Sequence, residues 1–178
     1  TVAYLLSVAV GLRAMERRQP VKKRIFEFML AYNCTQVVLN ASLGYRLWNE
    51  AWRFPYPWGN GLEDTTSRSH RLGMLLWFHY HCRQLELLDT CFIIMRKKFE
   101  SWSFLALHAY LRLAHMWGWY FACRFACGGD SYFPAAVSCT CQVCVYLYYA
   151  LSMVYPEGVP LVRRARVTEV QVLQFIIR

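Results

Sequence analysis

Three ionisable side chains lie inside an apolar stretch of this sequence, in the segment RQLELLDT at residues 83–90. Arg83, Glu86 and Asp89 are flanked by LGMLLWFHYHC on one side and CFIIM on the other. The combined run is long enough to cross a bilayer as a helix. A charge at the bilayer centre costs at least about 2.5 to 3.5 kcal/mol, so these groups must face other protein groups or a wet cavity. The segment therefore predicts an enclosed polar site.

The polar residues of this segment share one helical face, and three other apolar segments show the same pattern. At about 100° per residue, five polar side chains fall in or beside one narrow arc. They are His79, Arg83, Glu86, Thr90 and, at its edge, Asp89. The other stripes are His108, Arg112 and His115; Gln142, Tyr146 and Tyr149; and Thr168, Gln171 and Gln174. Four such faces predict a polar chamber inside a helical bundle.

These stripes have two interpretations, structural and functional. Amides and hydroxyls commonly form hydrogen bonds that hold membrane helices together, which is the simpler explanation for Gln171, Gln174 and the tyrosines. For the arginines, the acids and His108, the cost of burial favours a functional role.

The composition predicts the elements that position these residues. The chain has 178 residues, 57% hydrophobic and 17% charged, against about 25% charged in a soluble domain. Apolar blocks, for which helix is the default conformation, fall at about 1–12, 25–48, 73–95, 102–123, 131–155 and 167–178. We predict one all-α, polytopic membrane domain over residues 1–178, with six spans. The first and last blocks are short, which suggests a fragment of a longer protein.

Basic residues predict the orientation of the bundle. The formal net charge is +9, and basic side chains concentrate in the loops at 13–24, 96–101 and 156–167. These loops alternate along the chain, so all three lie on one side, which the positive-inside rule predicts to be cytosolic. The charge therefore needs no nucleic-acid partner to explain it.

The cysteines do not predict a metal site. Five of the eight cysteines are interpreted as packing residues of the apolar segments: Cys34, Cys91, Cys139, Cys141 and Cys144. Cys139, Cys141 and Cys144 have a spacing similar to half of a zinc site, but on a helix these side chains diverge. No metal and no other cofactor is predicted.

Several motifs carry a resemblance to one family. RQLELLDT resembles the K-x-x-E-x-x-D-T motif of the fatty acid elongases. Further similar segments follow in the family's order: GLRAMERRQP, AYNCTQ, MRKK, VYLYYAL and TEVQVLQF. The resemblance implies a seven-helix, multi-pass protein of the endoplasmic reticulum, in which six helices surround a narrow acyl-chain tunnel with a cytosolic entrance. By that comparison, parts of the first and sixth helices and the whole seventh helix are missing here.

The resemblance also implies an activity. Elongases of this family join malonyl-CoA to a long-chain acyl-CoA, giving 3-oxoacyl-CoA, CoA and CO2. They work beside the ketoreductase, dehydratase and enoyl reductase of the elongation cycle. A second hypothesis is a catalytically inactive elongase-like membrane protein that binds lipids or serves as a scaffold.

Two departures from the family pattern bear on the candidate catalytic residues. The family's histidine box, H-x-x-H-H, matches residues 108–112, where His108 remains but Leu111 and Arg112 replace histidines. Gln142 stands where relatives have a further histidine. Condensation needs an acyl acceptor, and an imidazole can fill that role whereas leucine cannot. His115, one turn beyond Leu111, is a hypothetical substitute. The candidate catalytic residues are His108, His115, Glu86 and Asp89.

The candidate substrate-binding residues are mainly cations and lining amides and phenols. Arg83 and Arg112 can bind a malonyl carboxylate or a CoA phosphate in bidentate fashion. Alternatively, Arg112 pairs with Glu86 or Asp89 across the bundle. Lys97 and Lys98 can meet CoA phosphates at the cytosolic mouth, although a lysine cluster that sets orientation is the commoner explanation. The remaining candidates are Gln142, Tyr146, Tyr149, Gln171 and Gln174.

Overall fold

The computed structural model of this chain is helical throughout the part it describes, as the sequence predicted. The described residues are 1–19, 23–53, 67–97, 102–126 and 131–155. Within them the helices are α1 (Val2–Glu16), α2 (Lys23–Arg53), α3 (Ser67–Leu85), α4 (Leu88–Arg96), α5 (Trp102–Phe125) and α6 (Tyr132–Val154). The predicted sixth block, with Gln171 and Gln174, and the loop lysine Lys98 lie outside the described residues.

The surface of the bundle is apolar and its interior holds the charges. Large apolar side chains such as Val38 and Trp52 are exposed, at 66% and 80% of their surface. Arg83 and Glu86, in contrast, are only 2% and 1% exposed. A soluble protein shows the opposite distribution, whereas a bundle surrounded by lipid needs this one.

One described helix satisfies the length and hydropathy criteria for a membrane span on its own. This helix is α6, with 23 residues and a mean hydropathy of 1.4 over its most apolar window. Of the other described helices, α1 and α4 have only 15 and 9 residues, and α2, α3 and α5 are less apolar than α6 over their length. The count of six spans therefore stays a prediction.

Helices α2 and α6 pack along each other closely, and their contact forms the centre of the bundle. At Gly44 on α2, an added Cβ would lie 3.1 Å from Cys139 Cβ on α6, which is closer than ordinary van der Waals contact. Small residues allow membrane helices to approach in this way. The apolar cluster around this contact consists of Leu43, Leu47, Leu72, Leu76, Trp119, Tyr132, Ala135, Ala136 and Cys139.

Helix α1 packs against α4 at the other end of the bundle. Met15 joins Ile94 and Leu105 in a second apolar cluster. Deeper in the contact, the Tyr4 hydroxyl and the Thr90 hydroxyl share a hydrogen bond of 2.7 Å. Thr90 is fully buried, so this bond satisfies a polar group that has no access to water.

Within the predicted helical block at 73–95, the chain forms a tight turn that separates α3 from α4. Leu87 N–H bonds to Gln84 O and Asp89 N–H bonds to Glu86 O, both at 3.1 Å and both over three residues. The second bond takes Asp89 N–H away from Leu85 O, its partner in a regular α-helix. The Tyr32 hydroxyl on α2 donates to that carbonyl at 3.1 Å, which stabilises the interruption.

Helix α4 ends at a residue with strained backbone geometry. Lys97 has φ 50° and ψ 35°, the left-handed region, and its N–H bonds to the carbonyls of Ile93 and Ile94. A residue with a Cβ is disfavoured there by about 1 to 2 kcal/mol, whereas glycine is not. The strain is local to this cap.

Replacing Lys97 with glycine is expected to raise the free energy of unfolding by about 0.5 to 1 kcal/mol, the relieved strain minus the entropy that glycine loses on folding. Heat stability of the detergent-solubilised protein, followed by fluorescence-detected size exclusion, measures this. Lys97→Ala is the matched control, since it removes the charge and keeps the Cβ. Equal stability of both variants would show that charge rather than backbone strain governs this position.

Candidate functional site

The polar centre of the bundle begins on α2, where three buried amides follow one another along one face. Asn33, Gln36 and Asn40 are at most 5% exposed. Asn40 Nδ2 donates to the Gln36 carbonyl at 2.9 Å and to Gln36 Oε1 at 3.3 Å. Because the amino group is held in this way, Asn40 Oδ1 points toward α3 and is available as an acceptor.

Arg83 continues the network from α2 into α3. Its Nη2 donates to Asn40 Oδ1 at 2.7 Å, and its Nη1 forms an ion pair with Glu86 Oε1 at 2.5 Å. The side chains of Arg83 and Glu86 are 1% and 2% exposed. A guanidinium at this depth is stabilised only if an anion and further acceptors surround it, and Glu86 and Asn40 supply both.

Arg112 on α5 joins the two acids. Its Nη1 donates to Glu86 Oε2 at 2.8 Å and its Nη2 donates to Asp89 Oδ2 at 2.7 Å. The Tyr146 hydroxyl on α6 donates to the same Asp89 oxygen at 2.8 Å. The sequence left two interpretations of Arg112 open: binding of a substrate anion, or pairing with Glu86 or Asp89. In the structure Arg112 pairs with both acids.

The network is electrically balanced. Two guanidiniums, Arg83 and Arg112, face two carboxylates, Glu86 and Asp89, through the contacts above. These contacts link α2, α3, α5, α6 and the start of α4. A balanced set of charges can remain ionised in a low-dielectric interior, because each group is solvated by its partners.

His108 lies one turn before Arg112 on α5. It is half-buried, and its ring stacks on Phe104 with centroids 6.4 Å apart and an interplanar angle of 22°. Its Nε2 is buried and forms no hydrogen bond with the residues that the structure describes. A buried imidazole nitrogen with no protein partner beside a charged network is a candidate for contact with a substrate.

The other predicted residues are spread over the bundle. His115 lies two turns beyond His108 and is half-buried, and Gln142 on α6 is 6% exposed. Tyr149 was predicted on the inward face but is 38% exposed. It lies three residues beyond Tyr146, a spacing that turns its side chain by roughly 60° from the buried direction of Tyr146 around α6. Lys97 is exposed at the end of α4.

Comparison with known proteins gives a match over the whole chain. The model of the ELO: GNS1/SUR4 family matches residues 1–178. The chain belongs to this family. It is 30% identical over 180 residues to very long chain fatty acid elongase 1 of Mus musculus, covering 99% of the chain and 63% of that protein.

Two further ELO relatives are also 30% identical to the chain over the residues they match. Very long chain fatty acid elongase 5 of Tachysurus fulvidraco is 30% identical over 180 residues, covering 99% of the chain and 59% of that protein. Very long chain fatty acid elongase 4 of Homo sapiens is 30% identical over 155 residues, covering 86% of the chain and 48% of that protein. The chain therefore spans about three fifths of the length of the first two relatives.

The three positions that the sequence comparison predicts to depart from the ELO histidine pattern lie in different surroundings. Arg112 contacts both acids. Leu111 is half-buried and apolar. Gln142 is buried one turn before Tyr146 on α6. None of these side chains is a plausible acyl acceptor, since guanidinium stays protonated and an amide is a poor nucleophile.

Sequence reasoning missed the amide stripe of α2. Asn33, Gln36 and Asn40 have i, i+3, i+7 spacing, which places them on one helical face. The segment AYNCTQ, which contains Asn33 and Gln36, enters the prediction only through its similarity to an ELO motif, and Asn40 is not among the predicted site residues. Applying to α2 the face analysis used for the other helices would have found all three residues.

Proposed function

We propose that this ELO chain is the condensing part of a very-long-chain 3-oxoacyl-CoA synthase. The reaction joins malonyl-CoA to a long-chain acyl-CoA and gives 3-oxoacyl-CoA, CoA and CO2. The family match and the names of the relatives support this class of substrate. The observation that carries the proposal is the buried His108 Nε2, which has no hydrogen bond from the described residues and lies one turn from the charged network.

The chemistry follows from what these groups can do. Loss of CO2 from a malonyl thioester leaves an enolate, whose oxygen needs a hydrogen-bond donor held in place in advance. His108, as a neutral imidazole, can provide that donor through a protonated Nε2. The network fixes α5, which carries His108, against α3 and α6. A preformed site of this kind loses little free energy to reorganisation during the reaction.

The network also limits how the substrate carboxylate binds. Arg83 and Arg112 already contact Glu86 and Asp89, so a malonyl carboxylate competes with these acids for a guanidinium. Such competition brings a third negative charge close to two others. That crowding destabilises the malonyl carboxylate and favours loss of neutral CO2, with the negative charge passing to the enolate. Lys97, exposed at the end of α4, remains available for a CoA phosphate.

We also propose a location and an orientation for the enzyme. The enzyme is a multi-pass protein of the endoplasmic reticulum with the loops at 13–24, 96–101 and 156–167 on the cytosolic side. Its substrates reach it from the cytosolic side and the bilayer, and its product passes to ketoreductase, dehydratase and enoyl reductase activities. The apolar exterior of the bundle and the span-length helix α6 support a membrane location.

A second candidate function is binding without catalysis. Arg112 occupies a position of the ELO histidine box and holds both acids, an arrangement that can serve structure alone. In that case the protein binds acyl lipids or serves as a scaffold for active relatives.

The test is elongation by the full-length protein in elongase-deficient cells. Membranes are incubated with acyl-CoA and radiolabelled malonyl-CoA, and the products are separated by chain length. His108→Ala is expected to lower the rate by at least about 100-fold, the usual contribution of an acid–base group. Leu107→Ala is the matched control, because that neighbour is 56% exposed. A well-expressed protein that forms no labelled product would instead support binding without catalysis.

A further inference from the structure

A cysteine and a histidine lie in contact in the interior, next to the charged network. His79 Nδ1 on α3 is 3.2 Å from Cys139 Sγ on α6. Both residues are 0% exposed. The imidazole also contacts Trp119 edge-on, with ring centroids 4.3 Å apart at 77°. An activated nucleophile usually has this arrangement: a thiol is hydrogen-bonded to an imidazole, and a third group fixes the orientation of that imidazole.

The location of this pair matters as much as its geometry. His79 lies one helical turn before Arg83 on α3, and Cys139 lies one turn before Gln142 on α6. Tyr146, whose hydroxyl contacts Asp89, lies one further turn along α6. The pair is therefore one turn from the charged network on α3 and two turns from it on α6.

We infer that Cys139 is the acyl acceptor of this protein and that His79 is its base. The inference rests on the proposed function, since it assigns the nucleophile of the same condensation. The cysteine thiolate is a strong nucleophile, and a neighbouring imidazole increases the fraction of the thiol that is in this form.

The proposed chemistry has two balanced steps. In the tautomer protonated on Nε2, His79 Nδ1 accepts the Cys139 proton, and the sulfur attacks the acyl-CoA carbonyl. The bond to the CoA sulfur breaks, and CoA leaves with the proton from His79, so that a Cys139 thioester remains. Malonyl-CoA then loses CO2, and its enolate carbon attacks this thioester. The new carbon–carbon bond releases the Cys139 thiolate, which takes one proton from water.

The acyl chain needs space around this pair. Cys139 belongs to the apolar cluster with Leu72, Leu76 and Trp119, and these side chains must move aside as the chain enters. The entering chain costs little in apolar contacts, because its methylene groups take the place of the side chains that move aside. The same enclosure keeps water away from the thioester and prevents its hydrolysis.

The test is trapping of the acyl-enzyme. The full-length protein, purified in detergent, is incubated with palmitoyl-CoA in the absence of malonyl-CoA, and its intact mass and peptides are measured. We expect one added palmitoyl group that is located on Cys139 and released by neutral hydroxylamine. Cys139→Ala is expected to abolish this adduct, and His79→Gln is expected to slow its formation at least tenfold. Cys144→Ala, an exposed cysteine on the same helix, should leave it unchanged.

The outcomes separate this inference from the proposed function. An adduct on His108, or elongation at the wild-type rate by Cys139→Ala, would overturn the role of Cys139 and leave the condensing activity in place. Cys139→Ser keeps a hydrogen-bonding group against His79, so loss of activity in this variant at wild-type heat stability separates chemistry from folding. A wild-type protein with neither adduct nor elongation would overturn both.

Discussion

Arg112→Met is expected to lower the free energy of unfolding by about 3 to 5 kcal/mol, the usual effect of breaking a buried ion pair from one side. The variant leaves Glu86 Oε2 and Asp89 Oδ2 without the guanidinium that contacts both. Two carboxylates then lie near each other in an apolar interior, and one of them must take up a proton. Heat stability in detergent and the yield of monodisperse protein measure the effect.

The control for Arg112→Met removes the acids as well. The triple variant Arg112→Met, Glu86→Gln, Asp89→Asn has no unpaired acid in this region, so it should regain most of the free energy of unfolding that Arg112→Met loses. Because Arg83 loses its anion in this variant, the gain should stay below the wild-type value. Wild-type stability of Arg112→Met alone would contradict the importance of the pairing. If the triple variant folds and still elongates, Glu86 and Asp89 have no catalytic role.

Gly44→Leu is expected to lower the free energy of unfolding by about 1 to 3 kcal/mol, the usual effect of overpacking an interior contact. The new side chain would meet Cys139, whose Cβ is only 3.1 Å from the position of an added Cβ. The separation of α2 and α6 should also reduce elongation, because Asn40 on α2 and Tyr146 on α6 both contact the network. Thermal stability and product formation are measured together.

Gly118 provides the matched control for Gly44. It is also a helical glycine, on α5, but nothing lies within 4 Å of its added Cβ. Gly118→Leu should therefore keep or slightly raise stability, since leucine favours helix more than glycine does. Equal losses in the two variants would show that helix propensity, rather than the α2–α6 approach, explains the effect of Gly44→Leu.

The periodicity of polar residues predicted much of the interior. Arg83, Glu86 and Arg112 were placed on inward faces by spacing alone, because burying a charge in lipid is so costly that the helix must turn it toward partners. Which residues would pair was not predictable. Periodicity gives the face of one helix, whereas the contact of Arg112 with both acids depends on the relative height and rotation of α3 and α5.

The turn between α3 and α4 could not be predicted for a different reason. The residues around Glu86 include no glycine or proline, the usual signals of a helix interruption. The turn instead depends on a contact from another helix, the Tyr32 hydroxyl with the Leu85 carbonyl. The pairing of His79 with Cys139 is a similar case, since both residues appear in the sequence as parts of unrelated apolar runs.

The balance of charge in the network has a consequence for biogenesis. Helices α3 and α4 together hold Arg83, Glu86 and Asp89 in the interior, which leaves one negative charge uncompensated within that segment. The compensating charge is Arg112, which the ribosome adds only with α5. Until α5 emerges, a lone acid in the nascent chain opposes lateral release into lipid. In the multi-pass arrangement that we propose, these helices must therefore enter the membrane as an interdependent group rather than one at a time.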